Sequence, residues 1–259
     1  AVLALSEDGT LSTATEDLLE RMAATDAYVL NDTLTVEAVP TVQTLTVENA
    51  SDFSADLAAH WKQSEHLVLA DGQDYTSAVL ATSLAARLDA PILFTADLAD
   101  GERARIEDTL GVSETLWVDV SSSDGVPANV TGLHHVDEVF DWLNESGVPV
   151  SYVALTNVAD RASGRSQKSS LVASLFTARR EGVVIPVDLP MPAQAAEQGT
   201  TPDAIAALHA RYDALGYVPE YLAIVGAHDA LPQVKGQSIF DNGEMGHPVT
   251  DIPYGQIDD

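Results

Sequence analysis

Apolar residues gather along this chain in short runs, and the segments between them alternate between helical periodicity and turn chemistry. The clearest run is His66-Leu-Val-Leu-Ala, followed by the turn Asp71-Gly-Gln-Asp-Tyr and an alanine-rich stretch from Thr76 to Leu88. That stretch stops at Asp89-Ala90-Pro91, and Ile92-Leu-Phe-Thr follows. A buried run of four to six residues reads as a strand, and a longer run of good helix formers reads as a helix. Strand, helix and strand joined by short connections predict a right-handed crossover and parallel pairing. Leu98–Leu110 predicts a further helix with Gly111 as its stop, and Thr115–Val120 a third strand.

The pattern then starts again. Val136–Leu143 reads as a helix halted by Gly147 and Pro149, Ser151–Thr156 as a strand, Asn157–Gly164 as a polar turn, Ser169–Arg180 as a helix and Val183–Val187 as a strand. SAVLATSLAARLDAPILFT (77–95) and SSLVASLFTARREGVVIPVD (169–188) share a weak internal similarity. Pro202–Leu215 predicts a helix with Thr201 as cap, and Tyr221–Gly226 a last buried strand. Before these units, a helix starts near Thr13 or Thr15, and Tyr28–Leu30 is a short strand. Thr33–Val47 alternates as a half-buried strand or hairpin interrupted by Pro40. Ser51–Trp61 predicts a helix capped by Ser51 or Asp52, with Phe53, Leu57 and Trp61 on one face.

The expected fold is therefore α/β, with a Rossmann-like, mostly parallel sheet or sheets, flanking helices and repeated βαβ units. The strands at 66–70, 92–95, 151–156, 183–187 and 221–225 are expected to run parallel, side by side. The Ser- and Gly-containing stretch 121–129 is a natural linker. It divides the chain into a unit over residues 1–125 and a second α/β unit over 126–259, the latter expected to be cut short at its C-terminus.

Charge changes the picture most. Forty Asp and Glu face twelve Lys and Arg, a formal net charge of −28. The acids are spread along the chain, and only Lys62, Lys168 and Lys235 are lysines. Such a surface repels itself in dilute salt, whereas at about 1 M salt the Debye length falls to about 3 Å and the repulsion is screened. This is the composition of a halophile's protein. It offers no basic patch that would displace counterions from nucleic acid, so nucleic acid is not an expected partner. No apolar run reaches the length of a membrane span.

Cysteine is absent, which removes disulfides, zinc thiolates and thiol nucleophiles from this stretch. Asparagine is scarce, yet four of its six residues open an Asn-x-Ser/Thr sequon: Asn31, Asn49, Asn129 and Asn144. These are glycosylation candidates and point to export.

Residues 64–120 resemble the cell wall-binding repeat type 2 family. The matching positions are Asp71-Gly72, Asp74-Tyr75, Ala78, Ser83-Leu84-Ala85, Leu88 and Ala90-Pro91-Ile92-Leu93. The end of the stretch departs from the family, with WVDVSSSDG where a strand and Gly-Gly often stand. The resemblance implies a Rossmann-like module on an exported surface protein. Residues 221–259 resemble the region that precedes the catalytic core of gingipain-type cysteine peptidases. That likeness rests on Val225-Gly226, Asp229, Leu231-Pro232, Asp251, Tyr254-Gly255 and Ile257. The family's His and Cys would lie beyond residue 259, so the resemblance implies architecture and not activity. Taken together, the two stretches resemble archaeal (haloarchaeal) surface proteins that join both patterns.

The expected role is thus an exported, cell-surface, S-layer-associated glycoprotein module that binds or builds the envelope, its partners being envelope components or other copies of itself. The alternative is the non-catalytic leading part of a gingipain-like peptidase. No complete catalytic constellation is present: there is no phosphate loop, no nucleophile elbow and no paired acid and base with a positional logic. The chain leans away from being an enzyme and implies no cofactor, calcium excepted. Candidate ligand contacts are Asp71, Gly72, Asp74, Tyr75, His228 and Asp229, all at C-terminal ends of predicted strands, where parallel sheets place ligands. Asp71 and Asp74 equally suit helix capping. Asp251, Asp258 and Asp259 are oxygen donors of the kind calcium takes. His134 and His135, read as strand neighbours, would point to opposite faces and share no metal.

Overall fold

The structure is a computed structural model that describes residues 11, 13–23, 25–30, 36–37, 39–45, 49–96, 98–99, 101–121, 126–161, 169–188, 219–226, 234–235 and 249–250. In chain order the elements are α1 (Thr13–Arg21), β1 (Asp26–Leu30), β2 (Thr41–Leu45), α2 (Ala50–Ala58), β3 (His66–Ala70), α3 (Tyr75–Leu88), β4 (Ile92–Phe94), α4 (Glu102–Leu110) and β5 (Glu114–Val118). After these come β6 (Thr131–Leu133), α5 (Val136–Glu145), β7 (Tyr152–Asn157), a single 3-10 turn (Val158–Arg161), α6 (Ser170–Arg179), β8 (Val183–Val187), β9 (Tyr221–Ile224), β10 (Val234–Lys235) and β11 (Val249–Thr250).

The fold is α/β with parallel sheets and flanking helices. The strands expected side by side divide between two sheets, one ordered β4-β3-β5-β6 and one ordered β8-β7-β9, every pair in both being parallel. β1 and β2 form a further parallel pair, so Thr41–Leu45 of the stretch expected as a strand or hairpin is a strand, while residues 33–35, 38 and 46–47 of it lie outside the described residues. β2 begins directly after Pro40, which has no N–H to give a ladder.

Helix α3 joins the two sheets into one core. Leu80, Ala81 and Leu84 are fully buried, and they share a cluster with Val68 and Leu116 of one sheet and Val153, Leu155 and Ile185 of the other. Its small residues allow close approach on two sides. Asp74 caps its start by accepting the Thr76 N–H, and Asp89 ends it in the left-handed region at φ 50°. Pro91 then prevents continuation. A second cluster on the far face of the first sheet holds Leu67, Leu69, Leu93, Ile106, Leu110 and Trp117.

Edge strands of sheets carry unpaired N–H groups that must be satisfied when buried. Here serines on the packed helices do this. Ser54 Oγ of α2 accepts the Phe94 N–H of edge strand β4 at 2.9 Å. Ser83 Oγ of α3 accepts the Val184 N–H of edge strand β8 at 3.1 Å, and Ser77 Oγ accepts the Val120 N–H just past β5 at 2.8 Å. Ser54, Ser77 and Ser83 are at most 1% exposed. Replacing Ser83 with alanine should therefore cost about 1–3 kcal/mol, the usual penalty for stranding a buried donor. Urea unfolding at equilibrium measures it, and a loss below about 0.5 kcal/mol would mean that the Val184 N–H has another acceptor.

Several expected details change. Asn49, not Ser51 or Asp52, caps α2, because its Oδ1 accepts the Asp52 N–H at 2.8 Å. The buried face of α2 is Ser51, Ser54, Ala55 and Ala58, with Phe53, Leu57 and Trp61 only partly covered. α4 starts at Glu102 instead of Leu98, since Gly101 stands before it at φ +81°. β6 ends at Leu133, so His134 follows a strand and His135 is the N-cap position of α5; they are not strand neighbours. The helix predicted over Pro202–Leu215 lies outside the described residues.

Candidate functional site

Strands β3, β5 and β7 all point their C-terminal ends the same way within their sheets, and the polar residues cluster there. The turn after β3 holds Asp71, Gly72, Asp74 and Tyr75, which the structure brings together as expected. Asp71 Oδ1 accepts the Gln73 N–H at 2.8 Å. Asp74 accepts both the Thr76 N–H and the Ser77 hydroxyl. Gly72 is a close-approach position: a Cβ there would stand 3.3 Å from Phe94 Cβ and 3.5 Å from Ala50 Cβ. The turn is thus pressed between β4 and the start of α2, with its carboxylates turned to backbone and hydroxyl donors.

Tyr75 extends this turn toward the second sheet. Its hydroxyl lies 2.9 Å from Ser170 Oγ. Ser170 in turn donates its hydroxyl to Asp160 Oδ1 and its N–H to Asp160 Oδ2, the latter at 2.8 Å. A carboxylate only accepts, so Ser170 donates to Asp160 and Tyr75 donates to Ser170. Asp160 is 1% exposed. It sits at the first turn of α6, where the helix dipole favours negative charge, and it replaces the side-chain cap that Ser169 does not make. The Arg161 guanidinium lies 4.9 Å over the Tyr75 ring. This relay of Tyr75, Ser170 and Asp160 ties the C-terminal end of β3 in the first sheet to that of β7 in the second. Sequence reading found Tyr75 but missed its partners, because nothing in the spacing of 75, 160 and 170 announces contact.

Burial is the largest influence on the Tyr75 phenol and pushes its pKa above the ordinary 10.0; the Asp160 charge adds to this, while the Ser170 hydrogen bond and Arg161 act against it. A phenol whose folded-state pKa exceeds its unfolded value contributes stability that is whole below pH about 10 and is lost as pH rises through the folded value. Wild type should therefore lose stability more steeply above pH 10 than Tyr75→Phe does, in paired urea titrations. Equal slopes would show that the phenol ionises freely.

The opposite, N-terminal edge of the first sheet carries a feature with no sequence signal. An open depression of about 680 Å³ is lined by Glu107, Asp108, Glu114, Thr115, Asn129 and Thr131, among others. Glu114 Oε1 accepts the Thr131 hydroxyl at 3.0 Å and the Trp142 indole N–H at 3.2 Å. Its Oε2 lies 3.8 Å from His66 Nε2. Thr115 donates to Glu107 at 2.8 Å. Among the described residues no group of three or more acidic or His side chains is placed to hold a metal ion. Asn49, Asn129 and Asn144 are described, while Asn31, His228, Asp229, Asp251, Asp258 and Asp259 lie outside the described residues, as does most of the stretch with the peptidase resemblance.

Neither a family model nor a curated relative matches the sequence. Solved structures do. Cwp6 from Clostridium difficile superposes with a TM-score of 0.54 at 11% identity, over 86% of this chain and 37% of that one. Cwp8 from the same organism gives a TM-score of 0.54 at 14% identity, over 81% of this chain and 37% of that one. The chain thus spans a little over a third of the length of either. At such identity the likeness is one of fold, an arrangement of parallel strands and flanking helices, and it extends well past the motif at residues 64–120.

Proposed function

We propose that this chain is a module of an exported cell-surface protein that contacts or builds the cell envelope. The observation that carries the reading is the fold shared over more than four fifths of the chain with Cwp6 and Cwp8, two cell wall proteins. The motif around Asp71-Gly72 and Ala90-Pro91 supports it from the sequence side. Among the described residues no helix is long and apolar enough to cross a membrane.

The charge of −28 narrows the contact. Direct attraction to an anionic wall polymer is unfavourable, because like charges repel on approach. Neutral saccharides, or polymers bridged by cations, are the compatible partners, as are further copies of the chain. The turn of Asp71, Gly72, Asp74 and Tyr75 is the proposed contact surface, and a ligand role for His228 and Asp229 is part of the same proposal. Calcium at Asp251, Asp258 and Asp259, sequon glycosylation and a halophilic, archaeal origin belong to the same proposal.

Two measurements on the producing organism test it. Antibody against the chain should label intact cells, and the purified chain should sediment with washed envelopes at molar salt. Label confined to lysed cells, with the chain left in the supernatant, would overturn the reading.

A further inference from the structure

We infer that, among the three described sequons, Asn144 is the one that accepts a glycan on the folded protein, whereas Asn49 and Asn129 accept one only on the unfolded chain. This ranking rests on the exported-glycoprotein reading for its biological meaning, and on geometry alone for its order.

N-glycosylation needs a free asparagine amide and access to the hydroxyl two residues on. The three described sequons differ in both. Asn49 is built into a helix cap. Its Nδ2 donates to Asp52 Oδ2 at 2.7 Å while its Oδ1 accepts the Asp52 N–H at 2.8 Å. The hydroxyl residue of that sequon, Ser51, is 1% exposed. Presenting this site to an enzyme means unwinding the start of α2 and uncovering Ser51.

Asn129 is exposed, in the left-handed region at φ 62°. Its hydroxyl partner Thr131 is held in β6, with its backbone in register with Leu116 and its Oγ1 donating to Glu114 at 3.0 Å. Extending residues 129–131 into an active site means peeling β6 from β5.

Asn144 and Ser146 are both exposed, and neither side chain makes a hydrogen bond among the described residues. They sit in the last turn and cap of α5, held by the bonds from the N–H groups of Ser146 to Trp142 O, Gly147 to Asn144 O and Val148 to Leu143 O. Helix ends fray, and residues 144–147, all exposed, can open while Leu143 before them stays in the core. Beside Asn144 runs a cleft of about 310 Å³ floored by Phe140, Leu143, Val148 and Pro149. An apolar face of the first sugar can lie along it.

The transfer is a substitution at the sugar's anomeric carbon. An oligosaccharide carried on a polyprenyl phosphate is the donor. The carbon–oxygen bond to the lipid phosphate breaks, a carbon–nitrogen bond to Asn144 Nδ2 forms, the amide gives up one proton, and the lipid phosphate leaves with the electron pair.

The test incubates the whole chain, folded and urea-unfolded, with an oligosaccharyltransferase and its lipid-linked oligosaccharide, followed by peptide mapping. In the folded chain Asn144 should be modified at least about tenfold faster than Asn49 or Asn129, the factor that about 1.4 kcal/mol of local opening imposes. In the unfolded chain the three should react at similar rates, and Asn144→Gln should leave no folded-state product at any of the three described sequons. Folded-state modification at Asn49 or Asn129 matching Asn144 would overturn the ranking, as would no transfer to Asn144 in either state. Mass measurement on protein from the producing organism separates the other question: bare asparagine there would sink the glycoprotein reading and leave the accessibility order standing.

Discussion

Leu84→Ala should lower the unfolding free energy by about 3–5 kcal/mol, the cost of removing a buried leucine where the surroundings cannot collapse. Leu84 is fully buried on α3, within a cluster that takes strands from both sheets. That cluster includes β-branched residues such as Val68, Val153 and Ile185, whose side chains have little rotamer freedom with which to fill a void. Because α3 serves both sheets, the loss should not be confined to one of them. The three tryptophans, Trp61, Trp117 and Trp142, all precede residue 150. Their fluorescence reports the first sheet, and far-UV circular dichroism reports both. The two urea midpoints should fall together in the variant. If fluorescence shifts and part of the circular dichroism signal does not, α3 belongs to the first sheet alone and the second folds independently.

The same helix shows where sequence reading holds and where it stops. Thr76–Leu88 was legible because alanine-rich composition, an acidic N-terminal turn and Asp-Ala-Pro at the end all agree. Parallel strands were legible because each is apolar on both faces and separated from the next by a helix. What sequence did not reveal is which way the helices face. α6 buries Ser170, Ala173 and Thr177 and leaves Leu175 and Phe176 43% and 52% exposed. α2 likewise buries Ser51 and Ser54 ahead of Phe53. Hydrophobic periodicity assumes that the apolar side goes inward. On α2 the small side chain has a partner that a large one could not serve, since Ser54 Oγ accepts the Phe94 N–H of edge strand β4; on α6 Ser170 bonds Asp160 and Thr177 bonds carbonyls of its own helix. The candidate site was half legible for the same reason. Asp71, Asp74 and Tyr75 are neighbours in sequence, whereas Asp160 and Ser170 reach Tyr75 only through the docking of α6 on α3. The depression at Glu107 and Glu114 needs β5, β6 and α4 to be assembled before it exists.

Stability should rise steeply with salt, by a few kcal/mol between about 0.1 M and about 2 M KCl. Two unit charges 10 Å apart in water repel by about 0.4 kcal/mol. At about 0.1 M salt the Debye length is about 10 Å, which leaves roughly 0.15 kcal/mol per pair; at about 1 M it is about 3 Å, and almost nothing remains. An excess of 28 negative charges creates tens of such pairs, and few basic residues relieve them. Among the described residues the arginine ion pairs are Arg103 with Glu107 and Arg105 with Glu102, each within α4 and partly open to solvent. Pairs of that kind are worth little individually, and they leave the remaining acids uncompensated. The accumulated repulsion is a large share of the roughly 5–15 kcal/mol by which a domain is stable. Thermal melts across a KCl series measure the effect, and a parallel series in sucrose separates screening from general exclusion of solute from the protein surface, since sucrose strengthens burial without screening charge. A midpoint that climbs in KCl well beyond its climb in sucrose fits a chain that folds in brine. A midpoint that is flat in KCl would show that these carboxylates lie too far apart, or are too well compensated, for repulsion to matter, and the halophilic reading would go with it.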